Sequence, residues 1–323
     1  MNIIASFRVA LSAVALVAAS AGAQDFPSRP ISIVVPFASG GPTDTSARIV
    51  SAAMARETGA AFVVENVPGA GATVGATKVA QAKPDGHTLL WGSGSSLAMT
   101  PHLYTTLKYD PIKSFAPVGL VVAQPFVLVA KPSLNVKSVR ELVALAKAQP
   151  GKLNFSSTGQ GASSHLVAEL FKKESGVFAT HVPYNGGAPA TNALLSGDVD
   201  FYFDTPTTLV PLIKTGKLVA LAVTSKKRWD DLPDVPSLNE LGFTNFDATT
   251  WFGLVAPAGT PPERIAYLSK HLTNALAQPQ VTSALKAAGF AVEPSAPDEF
   301  ARKIASETAR WGVTIRAAKI KLD

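Results

Sequence analysis

The apolar positions of this chain fall in short runs, and segments with helical periodicity separate them. Most runs are continuously apolar, which is typical of strands that are covered on both faces of a sheet. The alternation of strands with helices predicts an α/β protein with parallel sheets. The predicted strands are residues 31–37, 62–66, 88–93, 118–130, 153–157, 179–184, 201–205, 218–224 and 251–257.

Three local patterns predict helices. Ser138-Val139-Arg140-Glu141 is a capping box before an apolar repeat, since a serine and a glutamate three residues apart can satisfy the first amides of a helix. Thr260-Pro261-Pro262-Glu263 has the same form, with proline at the first helical position. Near the C-terminus, four apolar residues form one helical stripe that predicts a core contact: Phe300, Ile304, Trp311 and Ile315.

The run at residues 118–130 is long for a single strand and has Pro125 near its middle. We interpret it as the place where the chain passes from one domain into a second, with residues 248–257 bringing it back. On this interpretation, residues 24–122 and 252–323 form the first lobe, and residues 123–251 form the second.

The composition excludes several classes of site. The chain has 323 residues, of which 47% are hydrophobic and 16% charged, and it has no cysteine. It therefore has no disulfide, thiolate metal site or cysteine nucleophile, and its length favours two domains. The formal net charge is only +6, and the basic residues are scattered without interleaved aromatic residues. This pattern does not favour a nucleic-acid partner.

The N-terminus has the form of a cleavable secretory signal. One arginine, Arg8, precedes an apolar segment at residues 9–20, and Ala21-Gly22-Ala23 follows as a cleavage site. The segment is too short for a membrane-spanning helix. We expect residues 1–23 to be removed after Ala23, which would lower the net charge from +6 to +5.

Small and hydroxyl-bearing residues follow five of the predicted strands. Ligands of open α/β sheets bind beyond the carboxyl ends of the strands, where the unpaired N–H groups of helix starts suit an anion. None of these loops contains lysine or arginine, so we expect recognition by backbone, hydroxyl groups and bound water. The loops are 38–41, 93–96, 158–164, 184–187 and 204–205.

Competing motifs are less well formed. Residues 69–75 miss the dinucleotide-binding spacing by one residue, and no lysine follows a glycine-rich loop as nucleotide phosphates would require. A secreted hydrolase with a serine at 93–96 or 163–164, served by His165 or His181 and Asp204, is the alternative from another class. Gly94-Ser95-Ser96-Leu97-Ala98 is the nearest approach to a nucleophile elbow, and it lacks the second glycine. With five histidines and no cysteine, neither a metal site nor a cofactor is predicted.

Residues 37–44, FASGGPTD, resemble the first ligand loop of the Bug proteins, which are the extracytoplasmic solute receptors of tripartite tricarboxylate transporters. The similarity extends in order along nearly the whole chain after the signal. Further matching segments are residues 63–76, 84–92, 109–118, 150–166, 181–190, 194–204, 216–228, 232–238, 249–261 and 307–312. The chain departs from the family at Ala38-Ser39, where many relatives have prolines, and at His87, where an aromatic residue is common.

The resemblance implies a two-lobed periplasmic binding protein of the Venus flytrap type, type II-like, with two doubly wound sheets joined by two crossing strands. Such a protein is not an enzyme and closes around a small organic anion, often a carboxylate, or an amino acid. Together with the loop pattern, it predicts these ligand-binding residues: Phe37, Ser39, Gly40, Gly41, Thr43, Asp44, Ser93, Ser95, Ser96, Thr158, Gly159, Gly161, Ser163, Tyr184, Asn185, Gly186 and Asp204.

The resemblance also implies a monomer in the periplasm that delivers its solute to integral membrane transporter subunits. Alternatively, the protein acts as the ligand-sensing co-receptor of a membrane sensor kinase, a role that would use the same pocket. Two readings of Asp44 stay open. It either contacts the ligand or serves the helix start, where Arg48 lies four residues further on.

Overall fold

The computed structural model describes residues 26–104, 106–244, 246 and 248–318. The helices are α1 (Pro42–Thr58), α2 (Thr73–Ala80), α3 (Val139–Ala148), α4 (Ser163–Ser175), α5 (Gly187–Ser196), α6 (Pro206–Lys214), α7 (Pro262–Ala277), α8 (Pro279–Ala287) and α9 (Pro297–Ala318). The strands are β1 (Ile31–Val35), β2 (Phe62–Asn66), β3 (Thr88–Ser93), β4 (Phe115–Pro125), β5 (Val127–Ala130), β6 (Asn154–Ser157), β7 (Thr180–Pro183), β8 (Phe201–Asp204), β9 (Val219–Val223), β10 (Thr249–Pro257) and β11 (Ala291–Val292). The predicted signal segment lies outside the described residues.

The strands form two sheets, one in each lobe. The first has the order β11-β4-β10-β3-β1-β2, and the second has the order β7-β6-β8-β5-β9. The α/β class is confirmed, but the expectation of parallel sheets holds only in part, since β1 pairs in parallel with β2 and β3, and β6 with β7 and β8. β10 runs antiparallel to β3 and β4, and β5 runs antiparallel to β8 and β9. Both strands arrive directly from the other sheet rather than through a helical crossover, so the parallel direction is not imposed on them.

The chain passes between the sheets at the predicted proline. β4 ends at Pro125 in the first sheet, and β5 begins at Val127 in the second. The returning strand, β10, pairs along β4 from Thr249 opposite Pro125 to Pro257 opposite Phe115. The two-lobed architecture with two crossing segments is therefore present. The lobe boundaries at residues 122–123 and 251–252 stay a prediction.

One buried side chain joins both crossing segments. Thr224, which follows β9, accepts a hydrogen bond at Oγ1 from the Phe126 N–H (2.8 Å) and donates from Oγ1 to the Ala248 carbonyl (2.5 Å). Its own N–H donates to the Phe126 carbonyl, and its carbonyl accepts from the Ala248 N–H. Thr224 thus ties the outgoing strand to the returning one.

We expect Thr224→Val to lower the free energy of unfolding by about 1–3 kcal/mol, because the buried N–H of Phe126 and carbonyl of Ala248 would each lose a partner. Valine has nearly the shape of threonine, so packing changes little. Urea unfolding monitored by circular dichroism measures the difference. Thr215→Val is the matched control, because Thr215 is exposed and its Oγ1 bonds only within its own helix end. Equal stability of the two variants would contradict the prediction.

The local helix signals are confirmed in part. Ser138 caps α3 by accepting from the Glu141 N–H. The second signal is displaced by one residue: α7 begins at Pro262, and Thr260 Oγ1 donates to the Pro257 carbonyl instead of capping. The proline at 262 keeps Pro261 in an extended conformation, which delays the helix. The four stripe residues of α9 are buried, as predicted.

Two features complete the architecture. β11 is a short strand that no sequence pattern indicated, and it pairs with β4 at the edge of the first sheet. Among the described residues, no helix combines the length and apolar character that crossing a bilayer requires.

Candidate functional site

A cavity, here called the inner cavity, lies between the lobes where the two sheets meet. The loops after β1, β3, β6 and β8 surround it, and the crossing segments form its base. It is lined by Phe37, Pro42, Thr43, Ser93, Ser95, Phe126, Thr158, Ser163, Ser164, Asp204, Thr205, Thr250 and Phe252. In the part of the chain that the structure describes, no lysine, arginine or histidine lines it, and Asp204 is its one ionisable side chain.

Helices from both lobes begin at the inner cavity without side-chain caps. α1 starts there at Pro42, α4 at Ser163 and α6 at Pro206, and none of the three is capped by the side chain of its own N-cap residue. α5 is likewise uncapped and begins beside the cavity, because a Cβ on Gly187 would lie 3.0 Å from Asp204 Oδ2. The positive ends of four helix dipoles therefore converge on one space, as expected for an anion site.

Three glycine amides of the loops, those of Gly40, Gly159 and Gly161, are occupied, which differs from the expectation that they would be unpaired. Gly40 N–H donates to Asp44 Oδ2 at 3.0 Å, and Gly161 N–H donates to His165 Nδ1 at 3.1 Å. Thr158 N–H donates to Ser164 Oγ at 2.9 Å. These bonds hold the loops in shape. The groups left to face the cavity are hydroxyls and the first turns of the helices.

Asp44 serves the first loop rather than lining the cavity. Its carboxylate accepts from Arg48 Nε, from Asn66 Nδ2 and from the Gly40 N–H, at 2.9–3.0 Å. Burial raises the pKa of Asp44, but these hydrogen bonds outweigh it, and the pKa lies below its usual value. The Arg48 pairing expected for the helix start is present, and Asp44 is not among the residues that line the cavity.

Asp204, in contrast, lines the cavity and is almost fully buried. Tyr202 Oη donates to Asp204 Oδ2, and the Thr205 N–H donates to Oδ1, both at 2.8 Å. Burial raises the pKa of Asp204 to about 6, although hydrogen bonds from Thr205 and Tyr202 oppose this. A carboxyl group that is easily protonated therefore faces the space where an anion would bind.

The lobes touch through small residues around the cavity. Ser95 Oγ lies 2.7 Å from Ser163 Oγ and accepts from the Ser163 N–H at 2.8 Å. The Ala38 N–H donates to the Asn185 carbonyl at 3.3 Å. Gly71 lies so close to the opposite loop that a Cβ would fall 2.4 Å from the Gln160 carbonyl oxygen. The closed arrangement therefore depends on side chains that leave room for backbone contact.

The predicted ligand residues separate into three groups. Seven line the inner cavity: Phe37, Thr43, Ser93, Ser95, Thr158, Ser163 and Asp204. Gly159, Tyr184 and Asn185 line a second cavity of about 290 Å³ between loops 69–72 and 158–160, which Thr158 also borders. The remaining seven line neither cavity: Ser39, Gly40, Gly41, Asp44, Ser96, Gly161 and Gly186.

Sequence reasoning missed three residues at the base of the inner cavity. Phe126, Thr250 and Phe252 come from the crossing segments. The crossing at Pro125 and the return at 248–257 were the available signals. A crossing between two lobes places its residues at the bottom of the cleft, whereas the sequence pattern marks these segments only as connections.

The constellation of a serine hydrolase is not assembled. Ser95 and Ser163 bond to each other, and Ser93 and Ser96 bond to each other. His165 accepts from Gly161, His181 pairs with Ser157, and Asp204 contacts Tyr202 and Thr205. Within the described ranges, no group of three or more potential metal ligands occurs.

Comparisons with known proteins agree with this geometry. Residues 46–320 match the model of the tripartite tricarboxylate transporter family receptor, TctC. BugT of Bordetella pertussis is 36% identical over 311 residues, which cover 96% of this chain and 95% of BugT. Among solved structures, periplasmic binding protein BugD has a TM-score of 0.89 and 37% identity, covering 92% of this chain and 100% of that chain.

Two further solved structures contain ligands. The Rhodopseudomonas palustris protein Rpa4515 with adipate has a TM-score of 0.89 and 34% identity, and covers 92% of this chain and 100% of its own. MatC from the same organism, with bound malate, has a TM-score of 0.87 and 36% identity, and covers 90% of this chain and 100% of its own.

Proposed function

The chain belongs to the tripartite tricarboxylate transporter receptor family, and from this premise we propose that it captures a small carboxylate between its lobes for delivery to membrane transporter subunits. Receptors of this family are solute-binding proteins without catalytic activity. The observation that carries the proposal is the convergence of uncapped helix starts from both lobes on one cavity without a basic side chain.

The energetics of such a site are sufficient. A hydrogen bond to a charged group contributes about 1.5–3 kcal/mol, and each helix terminus adds about 0.3–1 kcal/mol. Micromolar affinity requires about 8 kcal/mol. The hydroxyls of Thr43, Thr158 and Ser164, with the first-turn amides that follow Pro42 in α1 and Ser163 in α4, supply enough donors for one carboxylate. Donors on both lobes favour the closed arrangement once the ligand is bound.

The ligands of the related structures suggest which chemical class of solute this chain binds. Adipate and malate are both dicarboxylates, although they differ in length and in the hydroxyl group of malate. We propose that the solute of this chain is an aliphatic carboxylate of similar size. We also propose that residues 1–23 direct the chain to the periplasm and are removed after Ala23, and that residues 24–122 with 252–323 close against residues 123–251.

Thermal unfolding of residues 24–323 tests the binding proposal. A carboxylate present at 100 times its Kd should stabilise the protein by about 2.7 kcal/mol, which shifts the unfolding midpoint by several degrees. The matched control for adipate is its diamide, which has the same shape without the charge. The proposal would be contradicted if the unfolding midpoint did not rise with adipate, malate, succinate or tartrate. It would also be contradicted if adipate and its diamide raised the midpoint equally.

Delivery to a transporter needs a separate experiment. Cells that lack this chain should lose uptake of the identified carboxylate in radiolabelled form, and the wild-type gene should restore it. Retained uptake together with loss of a ligand-induced transcriptional response would instead favour the sensing role.

A further inference from the structure

Two histidines lie behind loop 158–164, which joins β6 to α4 and contributes Thr158, Ser163 and Ser164 to the inner cavity. His165, in the first turn of α4, and His181, on β7, stack with ring centroids 3.8 Å apart and planes 8° apart. Phe155 on β6 stacks against both rings. The pair lies behind the loop and does not line the cavity.

Each histidine bonds to the loop. His165 Nδ1 accepts from the Gly161 N–H at 3.1 Å, so this nitrogen carries no proton. Ser157 Oγ lies 3.0 Å from the Gly159 carbonyl oxygen, to which it can donate, and 2.6 Å from His181 Nε2, and we assign His181 Nε2–H as the donor to Ser157 Oγ. Both imidazoles are therefore assigned as neutral, with opposite tasks: one accepts and the other donates.

Lys172 and Glu169 are charged groups beside the pair. Lys172 lies over the ring of Phe155 and bonds to Glu169 at 2.6 Å, and Glu169 Oε1 lies 3.7 Å from His165 Nε2. Burial, and next the charge that His165 can carry, lower the pKa of His181 to about 3. His181 thus stays neutral in the physiological range. A proton on His165 Nδ1 would face the Gly161 N–H donor.

We propose that His165 and His181 are positioning residues that hold loop 158–164 in its ligand-binding shape, and that protonation of His165 releases the loop. The role of the loop in binding rests on the proposed function. The shape of the loop does not depend on that function, because the bonds to Gly161 and Ser157 exist within one lobe. The pair therefore makes solute affinity dependent on the charge of a residue that does not touch the solute.

Substitutions at His165 separate the hydrogen bond from the ring stack. Asparagine places an amide oxygen near the position of Nδ1 and cannot take up a proton, whereas phenylalanine keeps the ring and loses the acceptor. The first measurement is the amide exchange of Gly161, followed by nuclear magnetic resonance with correction for intrinsic pH effects. In wild-type protein, protection of this amide should fall at least about tenfold as His165 becomes protonated.

His165→Asn should keep the Gly161 amide protected throughout the pH range, and His165→Phe should leave it unprotected at every pH. His271→Asn is the control, because His271 pairs with Glu57 far from the loop. The positioning role would be overturned if protection of the Gly161 amide did not change with the charge of His165, or if the amide stayed protected in His165→Phe.

The second measurement is the Kd for malate and adipate at pH 7.5. We expect His165→Phe to raise it at least about fivefold, an effect of about 1 kcal/mol, and His165→Asn to stay within about twofold of wild type. Equal affinity of all three proteins would overturn the link to binding. If wild-type protein binds neither dicarboxylate, the proposed function is contradicted, and the exchange of the Gly161 amide alone decides the positioning role.

Discussion

Gly71→Ala is expected to weaken solute binding by about ten- to a hundredfold. A Cβ at position 71 would lie 2.4 Å from the Gln160 carbonyl oxygen and 3.1 Å from the Gly161 carbonyl carbon, both backbone atoms of the other lobe. Because the clashing atoms belong to the backbone, they cannot move aside by a change of rotamer as a side chain can. The two lobes would therefore have to separate. Overpacking of this kind costs about 1–3 kcal/mol, and the cost falls on the closed form that holds the ligand.

The matched control is Gly59→Ala. Gly59 ends α1 with φ near +70°, and Gly71 has φ near +60°, so alanine suffers similar backbone strain at both positions. A Cβ at Gly59, however, would meet nothing within 4 Å. We expect both variants to lose about 1–2 kcal/mol in the free energy of unfolding from this strain. Calorimetric titration should show normal affinity for Gly59→Ala alone, and equal affinities would contradict the closure contact.

Carboxylate affinity should rise as the pH falls from 8 to about 6.5. The pKa of Asp204 is raised to about 6 by burial before any ligand binds, and an anion in the same cavity would raise it further. Between the two pKa values the complex holds more protons than the free protein. Affinity therefore increases by up to about tenfold for each unit of pH decrease.

Asp204→Asn removes the titrating group and should abolish this slope. Titration in buffers of different ionisation enthalpy would detect the proton taken up by the wild-type complex. The experiment is best repeated in the His165→Asn background, so that the histidine makes no contribution. A flat profile in wild-type protein would contradict the prediction. A profile of opposite sign would show that the ligand places a cation, such as an ammonium group, against Asp204.

Much of the fold could be predicted because its signals are local. The capping box at Ser138, the apolar runs of the strands and the interruption at Pro125 each depend on residues a few positions apart. The loops after β1, β3, β6 and β8 could also be predicted as the place of the site, since the chain direction in a parallel arrangement puts those strand ends together. Together with the family resemblance, these patterns predict a two-lobed receptor.

The roles of individual site residues were decided by tertiary contacts. Asp44 and Asp204 both occur near a helix start, yet Asn66 and Arg48 engage the first while the second faces the cavity. Whether the amide of Gly161 is open to a ligand depends on the direction of the His165 ring.

The sequence by itself determined the element types, the crossing between lobes and the loops that form the site. Only the tertiary structure decided which donors face the cavity, which crossing residues form its base and which strands run antiparallel. The physical reason is distance along the chain. Strands and caps are stabilised by neighbours in sequence, whereas a contact such as Ser95 with Ser163 joins residues 68 positions apart, and it exists only when the two lobes meet.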